Sequence, residues 1–389
     1  MQHSTEQIWA LATALDAKLV EMRRVLHRHP ELSGEEVWTT AQLKTWLAEA
    51  GIDILPLPLK TGLVAEIRGS QPGPIVALRT DIDALPVLEE TGLDFASQIP
   101  GKMHACGHDF HMATILGAAL ILKQMESQIA GTVRLLFQPA EETAQGAREL
   151  IAAGAMNGVQ AVFGLHNKPD LPAGHVGVKS GPLMAATDAI TIDVLGKGGH
   201  AAIPDATIDP VVAGSAIVMA LQTAVSRVIS PLDSAVVTIA SFQAGTAYNV
   251  IPPGARLLGT VRTFRPEVRE TVLATIERVV REVAAGYRAE GRLVVDQGTP
   301  AVNNDPAMAD LMRRSAAALG LPVDEAIPTM GGEDFAEYQQ LAPGCFVWMG
   351  TGCAENWHHP RFMVDESVIH KGAALFASTA LMALAELQA

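Results

Sequence analysis

Between residues 5 and 28 apolar side chains recur at Ile8, Leu11, Leu15, Leu19, Met22 and Leu26, the spacing of a helix with one buried face, and Pro30 ends it. Short apolar runs at 63–67, 75–79, 133–137 and 161–165 then predict strands, with helical patterns at 112–125 and 147–153 between them. Strands alternating with helices imply a mainly parallel sheet covered on both faces. In such sheets ligands lie beyond the carboxyl ends of the strands. Asp81 and Asp83 follow one strand, Glu141 and Glu142 follow another, and His166 ends a third, so polar groups converge on one rim.

The middle of the chain has a different rhythm: strand 189–195, helix 209–228, strands 235–242 and 256–264, helix 266–285 and strand 292–295. This βαββαβ order is that of a ferredoxin-like α+β unit. The αβ pattern returns at 308–318, 346–349 and an alanine-rich helix at 372–387. The expectation is a discontinuous α/β domain, 1–184 and 297–389, interrupted by an inserted domain, 185–296. Two domains also suit 389 residues, more than one core usually spans.

Charge narrows the partners. A formal net charge of −14 with no long Lys/Arg run excludes a nucleic-acid or anionic-membrane surface and leaves a small molecule as substrate. The amino terminus carries no secretory pattern, and no stretch of about 18 residues is free of polar groups, so a cytoplasmic protein outside the membrane is expected. Cys106, Cys345 and Cys353 are too few for a disulfide framework, which leaves Cys106 available as a thiolate. The positive end of the following helix would favour that form.

The densest chemistry is Met103-His104-Ala105-Cys106-Gly107-His108-Asp109. Cys106 and His108 alone fit a metal site, a reactive thiol or plain buried residues. With His166 and Trp357-His358-His359-Pro360 they form a donor set suited to Zn²⁺-like ions. The doublet Glu141-Glu142 could open a helix, or one carboxylate could bind metal while its neighbour takes a proton from the attacking water. His104 and Asp109 receive no role beyond shaping the loop. His27 and His29 stand two apart on a helix, where side chains diverge, and are set aside.

Gly196-Lys197-Gly198-Gly199-His200-Ala201 matches the G-x-G-x-x-A dinucleotide fingerprint. A Rossmann site also needs an acidic residue at the end of the next strand, where Ser241-Phe242-Gln243 stand. A turn presenting His200 is the simpler reading. Asn249 and Arg262 in the same inserted domain could bind a substrate carboxylate, which suits the forked guanidinium.

These motifs together resemble the M20 metallopeptidase family, in particular its amidohydrolase branch of hippurate hydrolases, N-acyl-amino-acid deacylases and auxin-conjugate hydrolases. The landmarks are Leu26-His-Arg-His-Pro-Glu-Leu-Ser33, Arg79-Thr-Asp-Ile-Asp-Ala-Leu-Pro86, Met103-His-Ala-Cys-Gly-His-Asp109, Phe137-Gln-Pro-Ala-Glu-Glu142, Gly196-Lys-Gly-Gly-His-Ala-Ala202, Asn249-Val-Ile-Pro252 and Met330-Gly-Gly-Glu-Asp-Phe335. The resemblance implies a zinc-exopeptidase-like catalytic domain interrupted by a lid that makes a homodimer or higher homo-oligomer. It implies two divalent ions, Mn²⁺ or Zn²⁺ with Co²⁺ or Ni²⁺ as substitutes, bound by Cys106, His108, Glu142, His166 and His358. His359 is the fallback for the last ligand. Glu141 is then the general base, Asp81 lies behind the ligands, and His200 steadies the oxyanion in the partner's site. Asn249 and Arg262 hold the substrate carboxylate.

The reaction expected is hydrolysis of an N-acyl amino acid to a carboxylate and a free amino acid. The alternatives are a cysteine hydrolase using Cys106, a dipeptidase or carboxypeptidase on the same metal site, a nicotinamide enzyme, and a metal-binding protein without catalysis.

Overall fold

The computed structural model describes residues 2–388, with side chains from residue 5 onward. It divides into two units: Met1–Leu183 with Asn303–Ile327 and Asp334–Ala389, and Met184–Val302 with Pro328–Glu333.

The first unit is built on an eight-stranded sheet, in the order Asp53–Ile54, Leu63–Arg68, Ala130–Gln138, Gln71–Asp81, Val159–Lys168, Gly344–Gly350, Val176–Val178, Val323–Glu325. Its centre is parallel: Gln71–Asp81 runs parallel to Ala130–Gln138 and to Val159–Lys168, which in turn pairs in parallel with Gly344–Gly350. Three pairings nearer the margins are antiparallel, so the sheet is mixed. Gly344–Gly350 is buried at every position, as a strand covered on both faces must be. Helices Gln2–Arg28, His108–Gln124 and Ile369–Gln388 pack on one another over this sheet. Their core includes Leu19, Leu26, Ile115, Phe376 and Ala380.

Several boundaries differ from the sequence expectation. The strand expected at 161–165 runs from Val159 to Lys168, so His166 lies within it rather than at its end. The helix expected from 112 begins at His108, which puts that imidazole on the first turn rather than in the loop. Glu141 and Glu142 occupy turns, and the helix after them, Gly146–Ala152, starts four residues beyond Glu142.

The second unit carries a four-stranded antiparallel sheet in the order Ala235–Ala244, Gly254–Thr263, Ala186–Leu195, Glu290–Gln297. Alternate residues of Ala186–Leu195 are buried, including Ile190, Ile192 and Val194. They pack with Ile217 and Leu221 of helix Pro210–Thr223 and with Val272 and Ile276 of helix Pro266–Gly286. This is the ferredoxin-like βαββαβ arrangement. Residues 196–201 contain the two-residue strand Gly199–His200, which pairs with Val250–Ile251, and only a three-residue 3-10 turn, Pro204–Ala206, comes before the α-helix that begins at Pro210. The strand-turn-helix that a dinucleotide site requires is absent there.

By length and composition helices Pro210–Val228 and Glu366–Gln388 could cross a membrane, which the sequence reading did not anticipate. The latter is mostly core, whereas the former is mostly exposed.

Candidate metal centre

Local backbone explains why the loops at the rim look as they do. Gly107 precedes the helix at φ +84°, and a Cβ there would lie 2.5 Å from Nδ2 of Asn167, so both conformation and space demand glycine. Among the described residues the non-glycine positive-φ positions are Ala140, Ala144, Arg288 and His358. Ala140 and Ala144 bracket the Glu141-Glu142 doublet at φ 51° and 55°, and His358 sits at φ 65° with its N–H bonded to Ala105 O at 2.8 Å. Left-handed backbone costs an L-residue energy, and such residues gather where geometry matters.

The donor atoms of Cys106, His108 and His166 lie within 4.8 Å of one another, as do those of Cys106, Glu142 and His358, and those of His108, Glu141 and Glu142. Hydrogen bonds decide which nitrogen each imidazole offers. His108 donates from Nδ1 to Asp83, 2.9 Å from its carbonyl and 3.1 Å from Oδ1, so Nε2 is the nitrogen left to face a metal. His166 donates from Nδ1 to Asn167 O at 2.8 Å, and its Nε2 faces Cys106 Sγ at 3.3 Å. His358 Nε2 stands 3.7 Å from Glu142 Oε1. His108 Nε2 and Glu142 Oε1 are buried without any hydrogen-bond partner.

His111 is different. Its ligand atom also lies near those of Asp81 and His108, but Nδ1 donates to Asp81 Oδ1 at 2.7 Å and Nε2 accepts the backbone N–H of Asn167 at 2.9 Å. Both nitrogens are used, so His111 has no lone pair to offer a metal.

Charge at the rim is out of balance. Burial depresses His108, but Asp81, Asp83 and Glu142 outweigh it and raise its pKa to about 10. Burial raises Glu142, with Asp83 adding to the effect against the pull of His108. Cys106 is pushed well above the ordinary thiol range, first by burial and then by Glu142, Glu141 and Asp81. Burial and these carboxylates oppose the helix end, so a thiolate at Cys106 needs a cation beside it. His166, buried and facing His111, is held well below its usual value, so it is a poor partner for a thiolate-imidazolium pair.

The structure therefore brings Cys106, His108, Glu141, Glu142, His166 and His358 together, with Asp81 behind them. It does not bring in His359, whose Nδ1 accepts the N–H of Arg361 at 3.1 Å. His200, Asn249 and Arg262 belong to the second unit. There His200 pairs with Val250, and Ala201 N–H bonds to Asn249 O at 3.1 Å, so both exposed side chains flank one turn. Arg262 is half-buried, and a Cβ on Gly332 would stand 3.5 Å from its guanidinium.

His111 and Asn167 were passed over by sequence reasoning, and Asp83 was read as a rim group without a role of its own. His111 had a signal, since it stands three residues after His108 on one helical face. His27 and Asp109 also find a place. His27 Nδ1 and Arg23 Nε both stand 2.7 Å from Asp109 Oδ2, a buried pairing that ties the first helix to the loop of Cys106.

A family model described as peptidase family M20/M25/M40 matches residues 77–382. The chain belongs to this family. It is accordingly a metallo-amidohydrolase with the α/β catalytic fold and inserted lid of M20 enzymes. An N-acetylcysteine deacetylase of Bacillus subtilis is 51% identical over 372 residues, covering 95% of this chain and 98% of that protein. A thermostable carboxypeptidase of Saccharolobus solfataricus is 39% identical over 373 residues, covering 93% and 94%. The crystal structure of a dinuclear metal-binding M20 peptidase of Bacillus subtilis superposes with a TM-score of 0.88 at 48% identity, covering 96% of this chain and 99% of that one.

Proposed function

We propose that this M20 enzyme hydrolyses N-acyl amino acids, using two divalent ions held by Cys106, His108, Glu142, His166 and His358. One observation carries the reading: imidazole nitrogens, a thiol and a carboxylate converge, and the buried His108 Nε2 and Glu142 Oε1 face each other at 3.8 Å with no hydrogen-bond partner among the described residues. Buried groups without partners are costly, and an excess of carboxylate beside them calls for positive charge. The donor set fits Zn²⁺ or Mn²⁺, with Co²⁺ or Ni²⁺ as substitutes.

Bound ions would polarise the acyl carbonyl and make water acidic enough to attack near neutral pH. Glu141 takes the proton as water oxygen bonds to the acyl carbon. It then delivers that proton to the nitrogen as the C–N bond breaks. Asp83 and the Asn167 carbonyl keep His108 and His166 in the tautomers that present Nε2. His200 from a second subunit donates to the oxyanion, and Asn249 and Arg262 receive the carboxylate. An N-acetylcysteine deacetylase and a carboxypeptidase both cleave an amide beside an amino acid, which supports a carboxylate-bearing substrate.

The second subunit is inferred from the lid. Val212 and Met219, seven residues apart on one helical face, are 50% and 73% exposed, so the apolar helix lacks a cover. A second copy of the chain is the proposed cover. Cys106, Cys345 and Cys353 are all unpaired, which fits a cytoplasmic setting.

The test is release of free amine from N-acetyl, N-benzoyl and longer N-acyl amino acids. Chelation should abolish it and Mn²⁺, Zn²⁺ or Co²⁺ should restore it. Full activity in metal-free protein would overturn the reading, and loss of activity on thiol alkylation but not chelation would favour Cys106 as nucleophile.

A further inference from the structure

Asn167 follows His166 on the strand Val159–Lys168, is wholly buried, and is not one of the proposed ligands. Its hydrogen bonds nevertheless reach three separate segments that carry ligands. Nδ2 donates to the carbonyl of Cys106 and, at 3.0 Å, to His111 Nε2. Oδ1 accepts the indole N–H of Trp357 at 3.1 Å, and Trp357 directly precedes His358. The backbone carbonyl accepts Nδ1–H of His166 at 2.8 Å, and the backbone N–H donates to His111. His111 passes the connection to Asp81, which Arg79 holds from its other oxygen at 2.9 Å. The indole ring of Trp357 also lies 4.8 Å from the His166 ring, edge to face, with Lys168 Nζ 4.9 Å from its centroid.

We infer that Asn167 is the positioning residue of the metal centre. It fixes the spacing between Cys106, His166 and His358, which come from three distant parts of the sequence, and it keeps His111 occupied so that this imidazole cannot compete as a ligand. The inference rests on the metal-binding reading above. Gly107 fits the same account, because any side chain there would strike the Asn167 amide.

A residue that only stabilises the fold would change melting without changing how a metal is held. Asn304 supplies the matched comparison. It too is a buried asparagine, donating to Lys179 O and Phe346 O and accepting from Phe346 N, but these bonds reach no proposed ligand.

The experiment titrates Co²⁺ into metal-free full-length protein and reads affinity, the d–d bands and the thiolate-to-cobalt absorption. Asn167→Ala should weaken Co²⁺ binding by about 10- to 100-fold, as loss of groups that orient ligands typically does, and should shift or diminish the thiolate band. Asn167→Asp, which keeps the acceptor for Trp357, should fall between Asn167→Ala and the parent. Asn304→Ala should lower the melting temperature yet bind Co²⁺ with the parent spectrum. Parent-like affinity and spectrum in Asn167→Ala would overturn the inference. If Asn167→Ala does not fold, Trp357→Phe decides: it removes the indole N–H that bonds Asn167 while keeping an aromatic ring beside His166, and unchanged affinity and d–d bands would overturn the inference, whereas weaker binding with altered bands would support it. A parent protein that binds no Co²⁺ would overturn the metal reading itself, and this inference with it.

Discussion

The two units depart from the usual rule of burial in different ways. The first buries charge: Arg79, Asp81, Asp83, Asp109 and His111 are fully buried, and His108 is 1% exposed. Apolar side chains are exposed in both units, Ile327 at 78% and Val37 and Leu88 at 63% in the first, but in the second Val212 at 50% and Met219 at 73% lie together on one helical face. Buried polar groups and exposed apolar patches are the departures that carry information, because ordinary folding removes both. An uncompensated buried charge costs several kcal/mol, and covering an apolar patch returns about 25 cal/mol per Å², so both departures are large enough to call for a partner.

Substitutions can break this comparison at either end. The largest effect is expected for Glu141→Gln, which should lower kcat by about 10²- to 10⁴-fold while Co²⁺ uptake stays at the parent level. Parent-like turnover would remove Glu141 as the base. His200→Ala should lower kcat by about 10²- to 10³-fold, again with metal retained, because a lost oxyanion donor acts on the transition state alone. Unchanged kcat would leave the lid without a catalytic role. His358→Ala should weaken metal binding at least about 10-fold while His359→Ala leaves it unchanged. The reverse order would move the last ligand to His359. In the lid, the double change Val212→Glu and Met219→Glu should turn a dimer into a monomer by sedimentation. A parent protein already monomeric, or one that binds lipid vesicles through this face, would remove the second copy as its cover.

Legibility in the sequence followed the same divide. The order of elements could be read because alternation and helical spacing are local properties, and both the βαββαβ insert and the parallel centre of the first sheet reflect them. Strand ends could not, since pairing between distant segments sets them, and the extra residues placed His166 inside its strand. The proposed ligand types were visible as Cys, His and Glu near strand ends. Their support was not, because the bonds of Asn167 to Cys106 and Trp357 join residues that only the sheet register brings together. The thiolate expectation at Cys106 was incomplete for an electrostatic reason. It weighed the helix end, worth up to about 2 kcal/mol in favourable sites, and left out burial and the carboxylates of Glu142, Glu141 and Asp81.

The smallest predicted effect tests whether the first unit stores strain around its proposed base. Ala144 holds φ 55° just after the doublet, and Ala140 holds φ 51° just before it. A left-handed L-residue costs about 1 to 2 kcal/mol, and replacing it with glycine returns part of that as unfolded-state freedom worth about 0.5 to 1 kcal/mol. Ala144→Gly should therefore stabilise the protein by about 1 kcal/mol or less, read as a small rise in the denaturant midpoint. If the strained turn holds Glu141 in place, the same change should lower kcat a few-fold, so that stability and activity move in opposite directions. A gain in stability with kcat unchanged would mean that the turn merely connects a strand to a helix. The aim of the Glu141 carboxylate would then come from its side-chain contacts rather than from the backbone that carries it.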